Sequence, residues 1–291
     1  MVLSPDDLAL TGAAIAALLD ELETYPKPGL VSPVDTGAHA DMDVVLMRRS
    51  AHALARPFAR LAAAGRAGRS FEQGLVPLGL GAEREMLRAT GGINTHRGAI
   101  FSLGLLIAAI ARTGPVSDPA TVRATLVREW GDALAAHAAR RDPVPSHGAL
   151  VRQRTGAGGA RREAARGFPG VFETGVPTHG AALAAGLDAN AARVHTFFAL
   201  MEAVEDTNVL FRGGPEAGAF VRRSAAGFLA AGGCTGDGWL ARAEAVHQSF
   251  IERNLSPGGC ADLLAGTLLV LDRSDRGSAA AGGPSATAPS C

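Results

Sequence analysis

Apolar residues recur every three or four positions through most of the chain, which is the spacing of one face of an α-helix. The first run lies between Asp6 and Glu23 and follows Ser4-Pro5, a pair typical of a helix start. Further runs predict helices in the segments 47–61, 71–88, 118–141, 190–205, 216–229, 239–250 and 257–271. There is no strand-rich block, so the pattern predicts an all-α protein. We expect Pro57 to kink or split the second helix.

One run differs from the others because it is apolar on every side. The segment 99–111 therefore predicts a helix that is buried all round. Asn94 and Thr95 stand just before it and are good capping residues, while His96 and Arg97 flank its first amides. Free N–H groups beside two cations would form an anion site. A capped core helix whose His and Arg face water explains the same pattern.

Polar loops separate the helices and contain the candidate chemistry. They are Lys27 to Asp43, Thr90 to Gly98, Gly159 to Glu163, Asp206 to Gly214 and Asn254 to Asp262. The first has few apolar residues to anchor it, so ordering it is costly unless it binds phosphate or a hard cation. We expect one compact multi-helix domain over residues 1–272, with these loops lining one cleft. Residues 273–291 are Ser, Ala, Gly and Pro without periodicity, which predicts a disordered tail.

Composition excludes several classes of protein. The 28 basic and 28 acidic residues give a net charge of zero, so there is no global attraction to nucleic acid or to an anionic membrane. Cys234, Cys260 and Cys291 are odd in number and lack a CxxC spacing, which argues against a disulfide framework or a zinc site. No apolar run is long enough to span a bilayer, and we expect a cytoplasmic protein. Lys27 is the one lysine among the basic residues, which suggests a position that needs a compact ammonium.

The polar segments also form an ordered set of motifs. They are Pro26-Lys27-Pro28-Gly29-Leu30-Val31, Gly37-Ala38-His39, Asp41-Met42-Asp43, Glu83 with Met86, Thr90 through Phe101, Ser146-His147-Gly148, Gly159-Ala160-Arg161, Glu163-Ala164, Gly167-Phe168-Pro169, Asp206-Thr207-Asn208, Arg212-Gly213-Gly214 and Asn254 through Ala265. In this order they resemble the triphosphoribosyl-dephospho-CoA synthase family, over nearly the whole chain up to about Leu271.

The resemblance implies an enzyme that joins ATP to 3′-dephospho-CoA and releases adenine. Its product, 2′-(5″-triphosphoribosyl)-3′-dephospho-CoA, is the prosthetic-group precursor of an acyl-carrier subunit. One branch of the family serves citrate lyase and another serves malonate decarboxylase. Asp35, where the citrate branch tends to carry Asn, and Arg97 after the Thr-His pair resemble the malonate decarboxylase branch.

The implied reaction displaces adenine from the anomeric carbon of the ATP ribose by a ribose hydroxyl. A carboxylate must take the hydroxyl proton, as in inverting glycoside chemistry, and the best candidates are Asp41, Glu83 and Asp206. Mg²⁺ is expected on the phosphates, held by one or two of these carboxylates or by Asp262. Which carboxylate is the base and which binds the metal stays open.

The substrates are polyanions, so local cations and helix starts are expected to bind them. The candidate substrate-binding residues are Lys27, His39, Asn94, Thr95, His96, Arg97, Arg161, Asn208, Arg212, Asn254, Ser256 and Gly258. For Arg161 a surface ion pair is an equal alternative, because Glu163 and Arg166 are close in sequence.

Two other functional hypotheses compete with the transferase hypothesis. The first is a metal-dependent nucleotide phosphohydrolase or ADP-ribosyl hydrolase, also all-α with His and Asp in its loops. The second is a non-catalytic helical protein that binds CoA and passes it to a carrier subunit. Neither predicts so many Gly-flanked polar loops in one chain.

Overall fold

The computed structural model describes residues 2–114, 118–140, 151 and 157–281. Its helices are α1 (Pro5–Glu23), α2 (Val44–Ala53), α3 (Ala55–Arg66), α4 (Val76–Ala89), α5 (Arg97–Thr113), α6 (Pro119–Ala139), α7 (Gly159–Ala165), α8 (Val176–Ala184), α9 (Ala189–Ala203), α10 (Thr207–Ala230), α11 (Trp239–Glu252) and α12 (Gly258–Ala281). Short π-helical turns, Phe71–Leu75 and Gly170–Gly175, lead into α4 and α8. The described residues contain no β-strand, which confirms the all-α prediction.

The centre of the fold is α5, as its pattern predicted. Almost every residue of this helix from Ala99 to Ile110 is buried. It packs against α3, α12, α6 and α1, and the small side chains at these contacts let the helices approach closely. No helix of the described ranges combines the length and apolar character that crossing a bilayer requires.

Two predicted boundaries are wrong. The break between α2 and α3 falls at Leu54 instead of Pro57, because a proline in the first turn of a helix removes no intrahelical hydrogen bond. The predicted loop Asp206 to Gly214 is mostly helical, since α10 begins at Thr207. The chain leaves helical geometry only at Gly214, which has φ 68° and precedes Pro215.

Other differences concern the ends of elements. Helix α8 (Val176–Ala184) was not predicted, and α12 continues past residue 272 to Ala281. Arg273 in this extension is buried. The predicted Ser146-His147-Gly148 loop and residues 282–291 of the predicted tail lie outside the described residues.

Candidate active site

The starts of α10 and α12 meet at Asp206. This residue is the N-cap of α10, and its Oδ1 accepts the Asn208 N–H at 2.8 Å. Its Oδ2 accepts the Cys260 N–H in the first turn of α12 at 3.0 Å. Burial raises the pKa of Asp206, and the amide groups of these two helix starts oppose that rise. One carboxylate therefore caps two helices, which is possible because Gly259 leaves room for it.

The start of α5 meets the starts of α10 and α12 at Asp262. A Cβ atom added at Gly98 would lie 2.0 Å from the Asp262 Oδ2, so the carboxyl group is packed directly on the α5 backbone. Burial raises the pKa of Asp262 well above its usual range, as do the nearby Glu21 and Asp206 carboxylates, while the Ala99 N–H opposes the rise. Gly98 is needed here for this close approach.

The single lysine lies beneath these helix starts. Lys27 is 1% exposed, and its Nζ donates to the Glu21 carbonyl oxygen at 2.7 Å and to the Glu21 carboxylate. Burial lowers the pKa of Lys27, and the Glu21 carboxylate opposes that shift. Burial and the Lys27 charge lower the pKa of His96 to about 4, so its imidazole is neutral. Its Nδ1 lies 2.7 Å from the Ser50 Oγ, which also bonds Thr95.

These five ionisable residues form one group, which we call the buried junction. It consists of Glu21, Lys27, His96, Asp206 and Asp262. Four of the five were named from the sequence as site residues. Glu21 was missed, because a carboxylate in the last turn of an ordinary amphipathic helix carries no distinguishing signal.

A second group lies nearer the surface, and we call it the polar rim. It has two parts: His39, Arg212 and Asn254 lie beside Ser256 before α12, and Glu83 with Arg97 lies at the start of α5. The starts of α5 and α12 meet where Asp262 packs on Gly98. Arg212 donates to the Ala38 carbonyl at 3.0 Å and to the Asn254 Oδ1 at 2.7 Å. The His39 Nε2 lies 2.8 Å from the Ser256 Oγ, two residues before α12 begins. Burial lowers the pKa of His39, and so does the adjacent Arg212.

The other half of the rim flanks the start of α5. The Arg97 Nε lies 3.2 Å from the Glu83 Oε2, and the two side chains are 46% and 27% exposed. The Asn94 Oδ1 accepts the Arg97 N–H, the first amide of α5, at 3.2 Å, although the N-cap position itself is His96, whose side chain makes no capping bond. This ion pair faces solvent and can exchange its partners at little cost.

The remaining predicted residues lie around these two groups. Asp41 is 61% exposed, and its Oδ1 is 3.6 Å from the His39 Nδ1. Gly258 lies against the Asn208 side chain. Arg161 is in α7, whose first residue Gly159 contacts Thr207 at the start of α10. The predicted segments therefore converge, although they came from distant parts of the chain.

The four carboxylates named for Mg²⁺ are not gathered as one ligand set. Among the described residues no group of three or more His, Cys, Asp or Glu side chains is placed to hold a metal ion. Asp206 and Asp262 contact backbone amides, and Glu83 contacts Arg97. Of the four, Asp41 and Glu83 are the ones that remain accessible to a cation.

His247 on α11 was also missed. It is fully buried, and both of its ring nitrogens contact the segment that begins at Lys27. Val246 and Phe250 lie on the apolar face of this helix, so the pattern predicted only packing. No local motif marks a histidine whose partners are more than 200 residues away.

Comparison with known proteins identifies the family. Residues 8–280 match the family described as ATP:dephospho-CoA triphosphoribosyl transferase. The chain belongs to this family. It is accordingly a transferase, as the motifs from Lys27 to Ala265 implied. No solved structure gives a significant match.

Curated relatives cover the chain almost completely. The chain is 43% identical over 266 residues to the probable 2-(5''-triphosphoribosyl)-3'-dephosphocoenzyme-A synthase of Azotobacter vinelandii, with 89% of each chain covered. It is 41% identical over 269 residues to the similarly named protein of Stutzerimonas stutzeri, with 91% of each covered. For the Pseudomonas putida protein the identity is 39% over 265 residues, covering 90% of this chain and 93% of the relative.

Proposed function

We propose that this chain is a cytoplasmic transferase that joins ATP to 3′-dephospho-CoA and releases adenine. The observation that carries the proposal is the pair of guanidinium groups in the polar rim, Arg97 at the start of α5 and Arg212 beside the segment before α12. Guanidinium groups are what the phosphates of a polyanionic substrate pair require, since the helix starts of the junction are already capped by Asp206 and Asp262. The family to which the chain belongs, and the printed names of its relatives, support the same reaction.

The reaction breaks the bond between C1′ of the ATP ribose and adenine and forms a bond from C1′ to a ribose hydroxyl oxygen of dephospho-CoA. The hydroxyl proton leaves for a base, and the departing adenine gains a proton. Glu83 and Asp41 are the accessible predicted carboxylates, so we propose one of them as the base. Asp206 is better suited to hold α10 and α12 together, since both of its oxygens accept backbone N–H groups.

Phosphate binding is proposed for the rim. Arg97, Arg212 and His39 are reachable cations or donors, and Arg97 and Arg212 offer the planar fork that fits phosphate. Lys27 is too deeply buried to touch a phosphate in this structure, and it acts on the site through Glu21 and His96. We propose that Asp41 or Glu83 would hold a Mg²⁺ ion bound to the ATP phosphates, which would supply neutralisation of their charge.

The decisive experiment incubates the purified chain with ATP, Mg²⁺ and 3′-dephospho-CoA and analyses the products by mass spectrometry. We expect the joined product and an equal amount of free adenine. Nucleotide turnover that needs no dephospho-CoA would support the phosphohydrolase alternative. Binding of dephospho-CoA without adenine release would support the non-catalytic CoA-binding alternative.

Metal dependence is a separate test. Leaving out Mg²⁺ or adding a chelator should stop adenine release, because the triphosphate would then lack its neutralising cation. Full activity in chelator would end the magnesium proposal while leaving the transferase proposal intact.

For the pathway, we propose the malonate decarboxylase branch, on the basis of Asp35 and Arg97. Deleting the gene in its host should abolish growth on malonate and leave growth on citrate unchanged. Loss of growth on citrate alone would favour the citrate lyase alternative.

A further inference from the structure

The segment 27–38 connects the buried junction to the polar rim. It begins at Lys27 of the junction and ends beside His39 of the rim, whose neighbour Ala38 accepts a hydrogen bond from Arg212. The Ala38 N–H donates to the Gly29 carbonyl at 3.0 Å, so the two ends of the segment are joined. A shift at one end therefore moves groups in both parts of the site.

One buried histidine from a distant helix holds both ends of this segment. The His247 Nε2 lies 3.0 and 3.1 Å from the two carboxylate oxygens of Asp35. Its Nδ1 lies 3.1 Å from the Lys27 carbonyl oxygen and 3.2 Å from the Gly29 nitrogen. Asp35 in turn accepts the Gly37 N–H at 2.8 Å. The imidazole therefore joins the start of the segment to its end.

The chemistry of the ring explains how it can do this. An imidazole nitrogen that faces a carboxylate carries a proton, so the His247 Nε2–H donates to Asp35 and fixes the ring orientation. The Nδ1 faces two backbone groups of the segment: it accepts from the Gly29 N–H when it carries no proton and donates to the Lys27 carbonyl oxygen when it carries one. The backbone is closely packed at Gly29, where a Cβ atom would lie 2.0 Å from the Leu255 carbonyl oxygen. Gly29 also has φ 69°, a conformation that favours glycine, so its backbone can shift little.

We infer that His247 is a positioning residue for the transfer reaction, which sets the backbone of Lys27 and Gly29 and thereby aligns the junction with the rim. The inference rests on the proposed function. His247 is 0% exposed and lies behind the segment, so it acts through the segment and does not touch substrate. Asp35 supports it by holding the ring from the other side.

Three substitutions separate this role from a general contribution to stability. His247→Asn retains an amide at the place of Nδ1, which can accept the Gly29 N–H, and loses the contact to Asp35. His247→Gln can reach Asp35 but leaves the Gly29 N–H without its partner. His247→Ala loses both contacts. His52→Gln on the exposed face of α2 is the matched control.

We expect His247→Gln and His247→Ala to lower kcat about 10- to 100-fold with a smaller change in KM, as loss of a group that orients the reacting residues does. His247→Asn should recover most of that loss, and His52→Gln should match the wild type. A merely structural role would make the Asn and Gln variants equally poor, in proportion to their loss of thermal stability.

Hydrogen–deuterium exchange of the peptide covering residues 27–38 provides a readout that does not depend on catalysis. Exchange should accelerate in the Gln and Ala variants and stay near wild type in the Asn variant. Equal exchange in all three variants, or equal kcat in the Asn and Gln variants, overturns the inference. If the wild type makes no joined product, the proposed function fails, and the exchange pattern still decides whether His247 holds this segment.

Discussion

The buried junction and the polar rim contain the same types of residue, but their surroundings differ. In the junction the Lys27 ammonium is paired with Glu21, and Asp206 is held by backbone amides, so these charges are balanced inside the protein. In the rim, Arg97 pairs with Glu83 at the surface, where partners exchange readily. Burial therefore divides the predicted phosphate-binding residues into those that set the geometry and those that can bind substrate.

The largest effect is expected at Lys27, in the buried junction. Lys27→Ala leaves the Glu21 carboxylate buried without its partner, which destabilises a fold by about 3–5 kcal/mol. We expect that fall in the free energy of unfolding, measured by urea denaturation, together with complete loss of adenine release. Arg48→Ala in the exposed pair with Glu23 is the control and should cost about 0–1 kcal/mol. Near-normal stability and turnover in Lys27→Ala would remove Lys27 from the site.

His96 tests the junction through pH. Its pKa is about 4 in the folded chain and 6.5 without burial, so between these values the unfolded state binds more protons. Stability should therefore fall as the pH is lowered from 6.5 to 4, by about 3 kcal/mol from this residue alone, and this contribution should not change further below pH 4.

The measurement compares urea denaturation of the wild type and His96→Gln across this pH range. The variant lacks the titrating ring, so its loss of stability on acidification should be smaller by the same amount. Parallel curves for the two proteins would show that His96 is not buried as a neutral group.

Asp206 tests whether one carboxylate caps two helices. Asp206→Ala removes two N-cap interactions, each typically worth about 1 kcal/mol, so we expect a loss of about 2 kcal/mol. Asp188→Ala is the matched control, because Asp188 caps only α9 through the Ala191 N–H at 2.8 Å. The two variants are compared by thermal and urea denaturation. If Asp206→Ala costs no more than Asp188→Ala, the double cap is refuted.

Asp206→Asn tests whether activity needs both oxygens of this carboxylate. The amide can still accept one backbone N–H but presents an NH₂ group to the other helix start. We expect loss of adenine release together with a measurable loss of stability, because α10 and α12 are then no longer held together beside the rim. Normal turnover in a destabilised variant would show that the double cap does not position the site.

The smallest effect is expected in the rim. Arg212→Lys keeps the charge but loses the guanidinium group, whose Nη1 donates to Ala38 and Asn254 while its Nη2 faces His39. We expect KM for ATP to rise about tenfold, equal to about 1.4 kcal/mol, with little change in stability. Steady-state kinetics at low and high salt measure this, with Arg88→Lys in the exposed α4 pair as control. An unchanged KM would exclude Arg212 from phosphate binding.

The helices could be predicted where the signal is local. Ser4 caps α1 and forms a capping box with Asp7, and the apolar segment 99–111 lies within the buried helix α5. The segment from Thr207 to Gly213 could not be predicted as helix, because Gly213 and the adjacent Gly214 favour a loop. Asp206 caps α10 locally through the Asn208 N–H, and the tertiary contact of its second oxygen with the Cys260 N–H fixes that cap in place.

Some residues of the candidate site could be predicted from the sequence and others could not. Lys27 and Asp262 could be selected from residue type and neighbouring motifs, and the structure brings both to one place. Glu21 could not, because a carboxylate on an ordinary helical face gives no sign that it will be buried against Lys27. His247 could not, because its partners lie far away in the chain. Helical periodicity reports which face is apolar and does not report which distant residue that face will meet.

The sequence by itself determined the helical elements, the zero net charge and the kinds of side chain available to the site. Only the tertiary structure decided that Lys27 is buried against Glu21 while Arg97 stays accessible at the surface. The physical reason is that desolvation and pairing depend on the atoms that surround a charge, and those atoms come from helices far apart in the chain.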